Sequence, residues 1–349
     1  MRKLATIRKI DEIRPILGAD AIEAAVVGGW TVVVKRGEFT VGDLATYIEI
    51  DSWVPTELAP FLSKGSEPRE FNGVKGERLR TVKLRGTTSQ GLLLPVQHVD
   101  GGLFWITNKN GTMDSVLEGD DVSEALGIQK WEAPIPAQLA GQVRGMFPSW
   151  GKKTDAERCQ NLTDEIKQAY DDDVEFEITI KLDGTSMSAG IGPDGEFHVC
   201  SRNLSLKLDQ IGNTYVDVAR AYDLETKMKS LGRSLMVSGE IIGEGIQKNQ
   251  EKIKGQDFYV FNIWDPIRSE YLSAAERKQI VTLLGLKHTS VLHESVTLRN
   301  LGLDTIEKIL TFAEGPSLNA ASREGVVFKS VDGSFMFKSV SNAWLMKNE

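Results

Sequence analysis

The chain has 349 residues, of which 41% are hydrophobic and 26% charged, and its formal net charge is −8. That length suits two domains with a sizeable core, and the acidic balance excludes a protein that clings to nucleic acid merely as a polycation. The two cysteines, Cys159 and Cys200, exclude a disulfide framework; with no run near the roughly 18 apolar residues of a membrane helix and no secretory pattern in MRKLATIRKIDEIRP, a reducing, cytoplasmic setting without a membrane is expected.

Residues 1–105 read as short β-segments divided by glycine turns. WTVVVKRGE, DLATYIEIDSWVP, LRTVKLRG and QGLLLPV alternate or run apolar over five to eight residues. Helical periodicity is confined to ADAIEAAV and TELAPFLSK, so a small β-barrel or sandwich is expected. NKNGTMDSVLEGDDVSEALGI predicts a loop and then a short helix capped around Ser123. The Pro- and Gly-rich WEAPIPAQLAGQVRGMFPSWGKK reads as the connection to a second domain. The expected division is a β-rich module over 1–130, a linker to about 150, and a second domain over 151–349.

Beyond 150 the pattern turns mixed. VEFEITI, GEFHVCSR, SLMVSGEII, DFYVFNIWD, GVVFKS and SFMFKSV predict strands. GNTYVDVARAYDLETKMKSL, SAAERKQIVTLLGL and DTIEKILTFAEG carry helical periodicity. Strands outnumber helices and do not alternate with them one for one, which points to an α+β domain with largely antiparallel sheets.

The chemistry centres on ITIKLDGTSMS, where an apolar strand ends on Lys181 and is followed at once by Asp183 and Gly184. A lysine amine is a poor nucleophile until burial or a nearby cation favours its neutral form; an amine that attacks phosphorus becomes a covalent nucleotide carrier. Asp183 points to the same side as Lys181 in extended geometry, and Gly184 removes a side chain that would crowd a bound nucleotide. A four-residue pattern alone also fits an unremarkable turn. Its company is more specific: Arg202 at a strand end, Glu240 between glycines, Phe261 on a strand, Glu324-Gly325 opening another, Lys338 on the last. Together these supply a nucleophile, three carboxylates, an arginine, a stacking aromatic and a distal lysine, the parts that nucleotidyl transfer needs.

In that order the residues resemble the nucleotidyltransferase motifs of covalent ligases and capping enzymes, and across almost the whole chain they are most similar to ATP-dependent RNA ligases of the Deinococcus/Naegleria type. The resemblance implies an N-terminal OB-like barrel ahead of an ATP-grasp-like nucleotidyltransferase domain. It implies that Lys181 attacks the α-phosphorus of ATP and holds AMP. Asp183, Glu240 and Glu324 would organise Mg²⁺ or Mn²⁺ through its waters, with Glu240 also near the ribose. Phe261 would stack on adenine, Gly184 and Arg158 would lie beside the nucleotide, and Arg202 and Lys338 would meet phosphate. One departure stands out: the family's last motif reads Lys-x-Lys, whereas here it is Met336-Phe337-Lys338. Lys329 on the neighbouring strand is the expected substitute.

Only eleven residues follow Lys338, and the β-rich module stands in front. That order favours an RNA ligase over the DNA ligases and guanylyltransferases that carry an OB domain after the last motif. A non-catalytic nucleic-acid-binding protein on a decayed ligase scaffold is the alternative of a different class, supported by Met336 alone. The expected partner is RNA, or a nicked duplex with an RNA 3′-OH strand, engaged by a monomer. The stretch KGERLRTVKLR concentrates Lys75, Arg78, Arg80, Lys83 and Arg85 against a single Glu77, a local basic density suited to phosphates.

Overall fold

A computed structural model describes residues 3–99, 103–132 and 141–348. The chain divides into two compact units, Met1–Pro134 with Leu345–Glu349, and Ile135–Trp344. Part of the expected linker, residues 133–140, lies outside the described residues.

The described strands of the first unit pair antiparallel, and within TELAPFLSK the residues Pro60–Ser63 form a short 3-10 helix. Its strands are shared among short sheets: Ala5–Lys9, Leu44–Ile48 and Leu92–Pro95 form one, and Glu12–Pro15, Ile22–Val27 and Trp30–Lys35 another. Among the described residues these ladders do not close into one continuous barrel. The stretch read as helical, ADAIEAAV, is the middle strand Ile22–Val27. Its alanines favour a helix in isolation, but pairing on both sides and burial of Ala24, Ala25, Val26 and Val27 override that preference. Ala25 and Val27 lie in one core cluster with the fully buried Trp30. No helix forms at Ser123 either. Its hydroxyl accepts from the backbone N–H groups of Leu4 and Ala5 instead of capping a helix, and so ties the first strand to a distant turn.

The second unit is built on two sheets. The larger runs Val143–Met146, Leu204–Leu206, Phe197–Cys200, Thr185–Ile191, Leu235–Gly243, Gln256–Asp265 and Glu270–Tyr271, with Lys287–His288 also paired to Gln256–Asp265. The smaller runs Glu157–Arg158, Met336–Val340, Gly325–Ser330, Glu175–Lys181 and Val291–Thr297. Pairing is antiparallel except at Glu157–Arg158 and Lys287–His288. Val143–Met146, expected in the connection, thus belongs to the larger sheet.

The predicted long helix over 212–231 is two helices, Thr214–Ala221 and Leu224–Ser230, parted at Asp223, whose φ of 51° no helix tolerates. The Asn213 side chain caps the first by accepting from Tyr215 and Val216. The helix Thr163–Asp171, not expected from sequence, buries only Ile166 and Ala169, too few apolar positions to show a period.

Strand alternation gives the smaller sheet two unlike faces. Phe176, Ile178, Val326, Phe328 and Phe337 share a buried core with the helices Thr163–Asp171 and Ile306–Phe312. Phe328 and Phe337 stack there at 4.5 Å between centroids, worth about 0.5–1.5 kcal/mol beyond simple burial. The intervening positions carry Glu177, Thr179, Lys181, Lys329, Met336 and Lys338 to the opposite face.

Candidate active site

Lys181 ends a strand of the smaller sheet, and Thr185 begins a strand of the larger one. The segment between, Leu182-Asp183-Gly184, is therefore the corner where the chain passes from one sheet to the other. Ile180 and Leu182 face a small apolar cluster with Ile242, Ile253, Tyr259, Leu292 and Leu318, drawn from both sheets. Ile180, Leu182 and Ile242 are almost fully buried, at roughly 1.5–3 kcal/mol each. By alternation, Lys181 and Asp183 point away from that wedge. Gly184 is dictated by space: a Cβ there would stand 2.2 Å from the carbonyl oxygen of Ile241 and 2.9 Å from Cγ of Glu240. Gly325 is equally constrained, with Ser339 O 2.1 Å from where its Cβ would be.

This corner collects the acidic groups. Lys181 Nζ lies 2.6 Å from Glu324 Oε2. Glu240 arrives on the larger sheet, paired with Ser186 and Tyr259. Asp183 Oδ2 accepts from Gln250 Nε2 at 3.4 Å. Burial, followed by the repulsion of neighbouring carboxylates, pushes Glu240 up to about 8. Burial and Glu324 push Asp183 up to about 6.

Lys181 departs from the expectation that desolvation would free its lone pair. Burial does lower its pKa, but Glu324, Glu240 and Asp183 outweigh it, and the amine is held above its ordinary value. The isolated site therefore stores a charged lysine among carboxylates that resist ionising together, an excess of oxygen donors that suits a hard divalent cation.

The remaining predicted residues divide. Lys338 stands opposite Val327 on one side and Arg158 on the other, so Thr179, Val327, Lys338 and Arg158 form one row across the sheet beside Lys181. Arg158 is 7% exposed. Phe261 sits in a β-bulge: Ser238 pairs with Asn262 and Gly239 with Val260, leaving Phe261 without a partner across the ladder. A bulge re-aims a side chain. Arg202 is half exposed and pairs with Asp155 at 2.6 Å.

Lys329, the expected substitute for the lysine that Met336 replaces, stands directly opposite Met336 across the sheet. It pairs with Glu177, four residues before Lys181 on that strand and so about 13 Å along it. It is 6% exposed. Its amine donates to the carbonyl of Phe261. Burial, then Arg277, push its pKa well below the ordinary value. Lys329, Glu177, Arg277, Asn262 and Met336 line a cavity of about 20 Å³, and Asn262 Nδ2 donates to Met336 Sδ at 3.6 Å. The lysine holds the Phe261 bulge from behind, linking the two sheets a second time.

The basic run of the first unit also divides. Lys75 pairs with Glu67, and Arg78 with Asp51 at 2.5 Å while lying over Trp131. Arg80 is exposed next to the buried Thr81. Lys83 and Arg85 are exposed on the hairpin Val82–Leu84/Thr87–Ser89, whose tip, Arg85-Gly86, takes left-handed φ values of 47° and 87°. Sequence reasoning did not single out Gln250, Glu251 or Arg277. They sit in a polar loop and on a helix whose spacing carries no chemical signature, and only the folded chain sets Gln250 against Asp183, Glu251 against Asn319 and Arg277 against Glu177.

An OB-rich unit followed by a two-sheet α+β unit with this lysine at the corner defines a nucleotidyltransferase-type ligase. An OB-fold domain profile matches residues 4–96, and an RNA ligase profile matches residues 174–341. Solved structures of Naegleria gruberi RNA ligase align over almost the whole chain. An apo variant is 44% identical, covering 99% of this chain and 98% of that one, with a TM-score of 0.86. The pyrophosphate complex and a variant with ATP and Mn are each 44% identical, with 99% of both chains covered and TM-scores of 0.86. No curated protein matches. The chain belongs to the RNA ligase family. Among the described residues no helix is long and apolar enough to cross a membrane.

Proposed function

We propose that this RNA ligase uses ATP to seal 3′-OH/5′-phosphate breaks through a lysyl-AMP intermediate at Lys181, acting as a monomer on RNA or on a nicked duplex with an RNA 3′-OH strand. The observation that carries the reading is the juxtaposition of Lys181 with Glu324, Glu240 and Asp183 where the two sheets meet. The Naegleria structures with ATP and Mn, AMP and Mn, or pyrophosphate support it by similarity.

Asp183, Glu240 and Glu324 hold Mg²⁺ or Mn²⁺, which when bound supplies charge neutralisation at the α-phosphate and favours the neutral amine. The residues do the rest. Lys181 passes its proton to the surroundings, and its nitrogen bonds to the α-phosphorus as the bond to the β-phosphate oxygen breaks and pyrophosphate leaves. The 5′-phosphate of the RNA then takes AMP from the lysine, and the N–P bond breaks. Finally the 3′-OH attacks the 5′ phosphorus, and AMP departs. Phe261 fixes the adenine plane, and Lys338, Arg158 and Arg202 offset phosphate charge. One fixed site serves three in-line transfers because each reacting phosphorus can occupy the same position.

The test is incubation with ATP labelled at the α-phosphate and Mn²⁺, then denaturing electrophoresis, with GTP and a Lys181→Ala chain in parallel. Label on the wild-type chain from ATP alone, together with sealing of nicks that end in an RNA 3′-OH, is expected. Equal labelling of Lys181→Ala overturns the assignment, and labelling from GTP turns it toward capping chemistry.

A further inference from the structure

The loop of residues 244–255 joins the strand that carries Glu240 to the strand that carries Phe261. It is tightly determined for a surface connection. Gln247, Asn249 and Lys252 all take left-handed φ values, 45°, 42° and 51°, a conformation that non-glycine residues adopt only under constraint. Asn249 supplies part of that constraint, bonding through its side chain to both the N–H and the carbonyl of Ile253.

Two grips extend from the loop. Gln250 Nε2 reaches Asp183 Oδ2, and Gln247 Nε2 donates to the carbonyl of Gly184 at 3.1 Å. On the other side the Glu251 carboxylate is 6% exposed. It accepts from the backbone N–H groups of Asn319 and Ala320 at 2.6 and 3.1 Å, and Asn319 Nδ2 returns a bond to the Glu251 carbonyl. Ile253 of the loop and Leu318 pack in the same apolar cluster as Leu182. From Ala320 the chain runs four residues to Glu324, and Arg323 on the way is anchored to the carbonyls of Phe312, Ala313 and Glu314. A buried carboxylate that ties backbone to backbone holds geometry and does not react.

We propose that this loop sets the spacing between the carboxylates of Asp183 and Glu324, with Gln250 and Glu251 as positioning residues, and thereby sets how tightly the chain holds its divalent cation. The proposal rests on the reading that Asp183, Glu240 and Glu324 bind that ion. Residues that orient metal ligands from behind typically govern affinity by 10–100-fold when removed.

The test uses the full chain as Glu251→Ala, Glu251→Gln and Gln250→Ala. Mn²⁺ binding to the ATP-free protein is measured by electron paramagnetic resonance, and the rate of lysyl-AMP formation is measured across a Mn²⁺ titration at saturating ATP. Glu251→Ala and Gln250→Ala are expected to raise the half-saturating Mn²⁺ concentration roughly tenfold in both measurements. The rate at saturating Mn²⁺ stays near wild type, and Glu251→Gln, which keeps an acceptor oxygen, recovers most of the affinity. Gln250→Ala removes a partly exposed side chain and keeps the test intact if Glu251→Ala fails to fold. Unchanged Mn²⁺ binding in folded variants, or a lower rate with the Mn²⁺ dependence unmoved, overturns the positioning role while leaving the ligase reading standing. A wild-type chain that binds no Mn²⁺ overturns the metal assignment and this proposal together.

Discussion

Lys181 Nζ and Glu324 Oε2 stand 2.6 Å apart, bringing a residue at the end of one strand against one that immediately precedes its antiparallel neighbour. The pair joins the amine we propose as nucleophile to an acidic group that opposes its activation, since each carboxylate nearby stabilises the ammonium form. In the proposed reaction the amine would lose its proton only once positive charge is added beside those carboxylates.

The first prediction concerns pH. Because the Lys181 amine is held above its ordinary value and only the neutral form attacks, lysyl-AMP formation at fixed Mn²⁺ should climb with pH through neutrality. The slope should approach one decade per pH unit while the amine is mostly charged. Raising Mn²⁺ should slide the profile to lower pH. Single-turnover labelling across a pH series measures both, and a rate independent of pH and metal would contradict the charge arrangement.

Stability should move the other way with pH in the ion-free protein. Asp183 and Glu240 bind their protons more tightly folded than unfolded, so between the ordinary carboxylate values of 3.8 and 4.5 and the folded values of about 6 and 8 the native state holds more protons. Stability therefore falls as pH rises through that window. Lys181, raised in the folded state, contributes stability that is fully present below its unfolded value and is lost only at higher pH. Glu240→Gln removes the largest of the acidic penalties, and its Tm at pH 8 should exceed wild type by roughly 2–4 °C for each kcal/mol relieved, although adenylylation is lost. Differential scanning calorimetry at pH 5 and pH 8 separates the two chains.

Phe261→Ala should raise the KM for ATP by roughly 5–150-fold, the equivalent of about 1–3 kcal/mol of base stacking, with the fold preserved. Phe261→Tyr should retain most of the affinity. The bulge is held by the backbone carbonyl, which Lys329 grips whatever the side chain, so the effect reports stacking and not a collapsed strand.

At the hairpin of the first unit, Lys83→Ala with Arg85→Ala should weaken RNA binding and lower the slope of log affinity against log salt by about 1.5–2. Lysyl-AMP formation should be unaffected. Lys75 and Arg78 already have acidic partners, so their replacement should change that slope less. Filter binding over a salt series, run beside the labelling assay, distinguishes the groups.

Part of the arrangement was legible in the sequence because Lys181, Glu240 and Lys338 occupy strands whose alternation shows which side each faces. Glu175–Lys181, Gly325–Ser330 and Met336–Val340 appear where VEFEITI, GVVFKS and SFMFKSV predict them. What sequence could not supply was the company each group keeps. Lys329 looks like a spare phosphate donor beside Met336, yet it also meets Glu177 on the adjacent strand, Phe261 from the other sheet and Arg277 from a helix. Lys181 looks like a desolvated amine, yet the carboxylates around it count for more than its burial. Local pattern failed where pairing decided: Ile22–Val27 carries helix-forming alanines but has a strand on either side.

Leu182 carries a consequence for how this chain can change length. It is anchored in the apolar wedge while its neighbours Lys181 and Asp183 face the other way. One residue gained or lost immediately before Lys181 would invert that order, sending the amine into hydrocarbon and an isobutyl group toward the carboxylates. Two residues gained would restore the sides but carry the amine roughly 6–7 Å off target. The tetrapeptide is thus fixed in number as firmly as in kind, and attempts to graft a longer corner here should yield folded chains that cannot start the reaction.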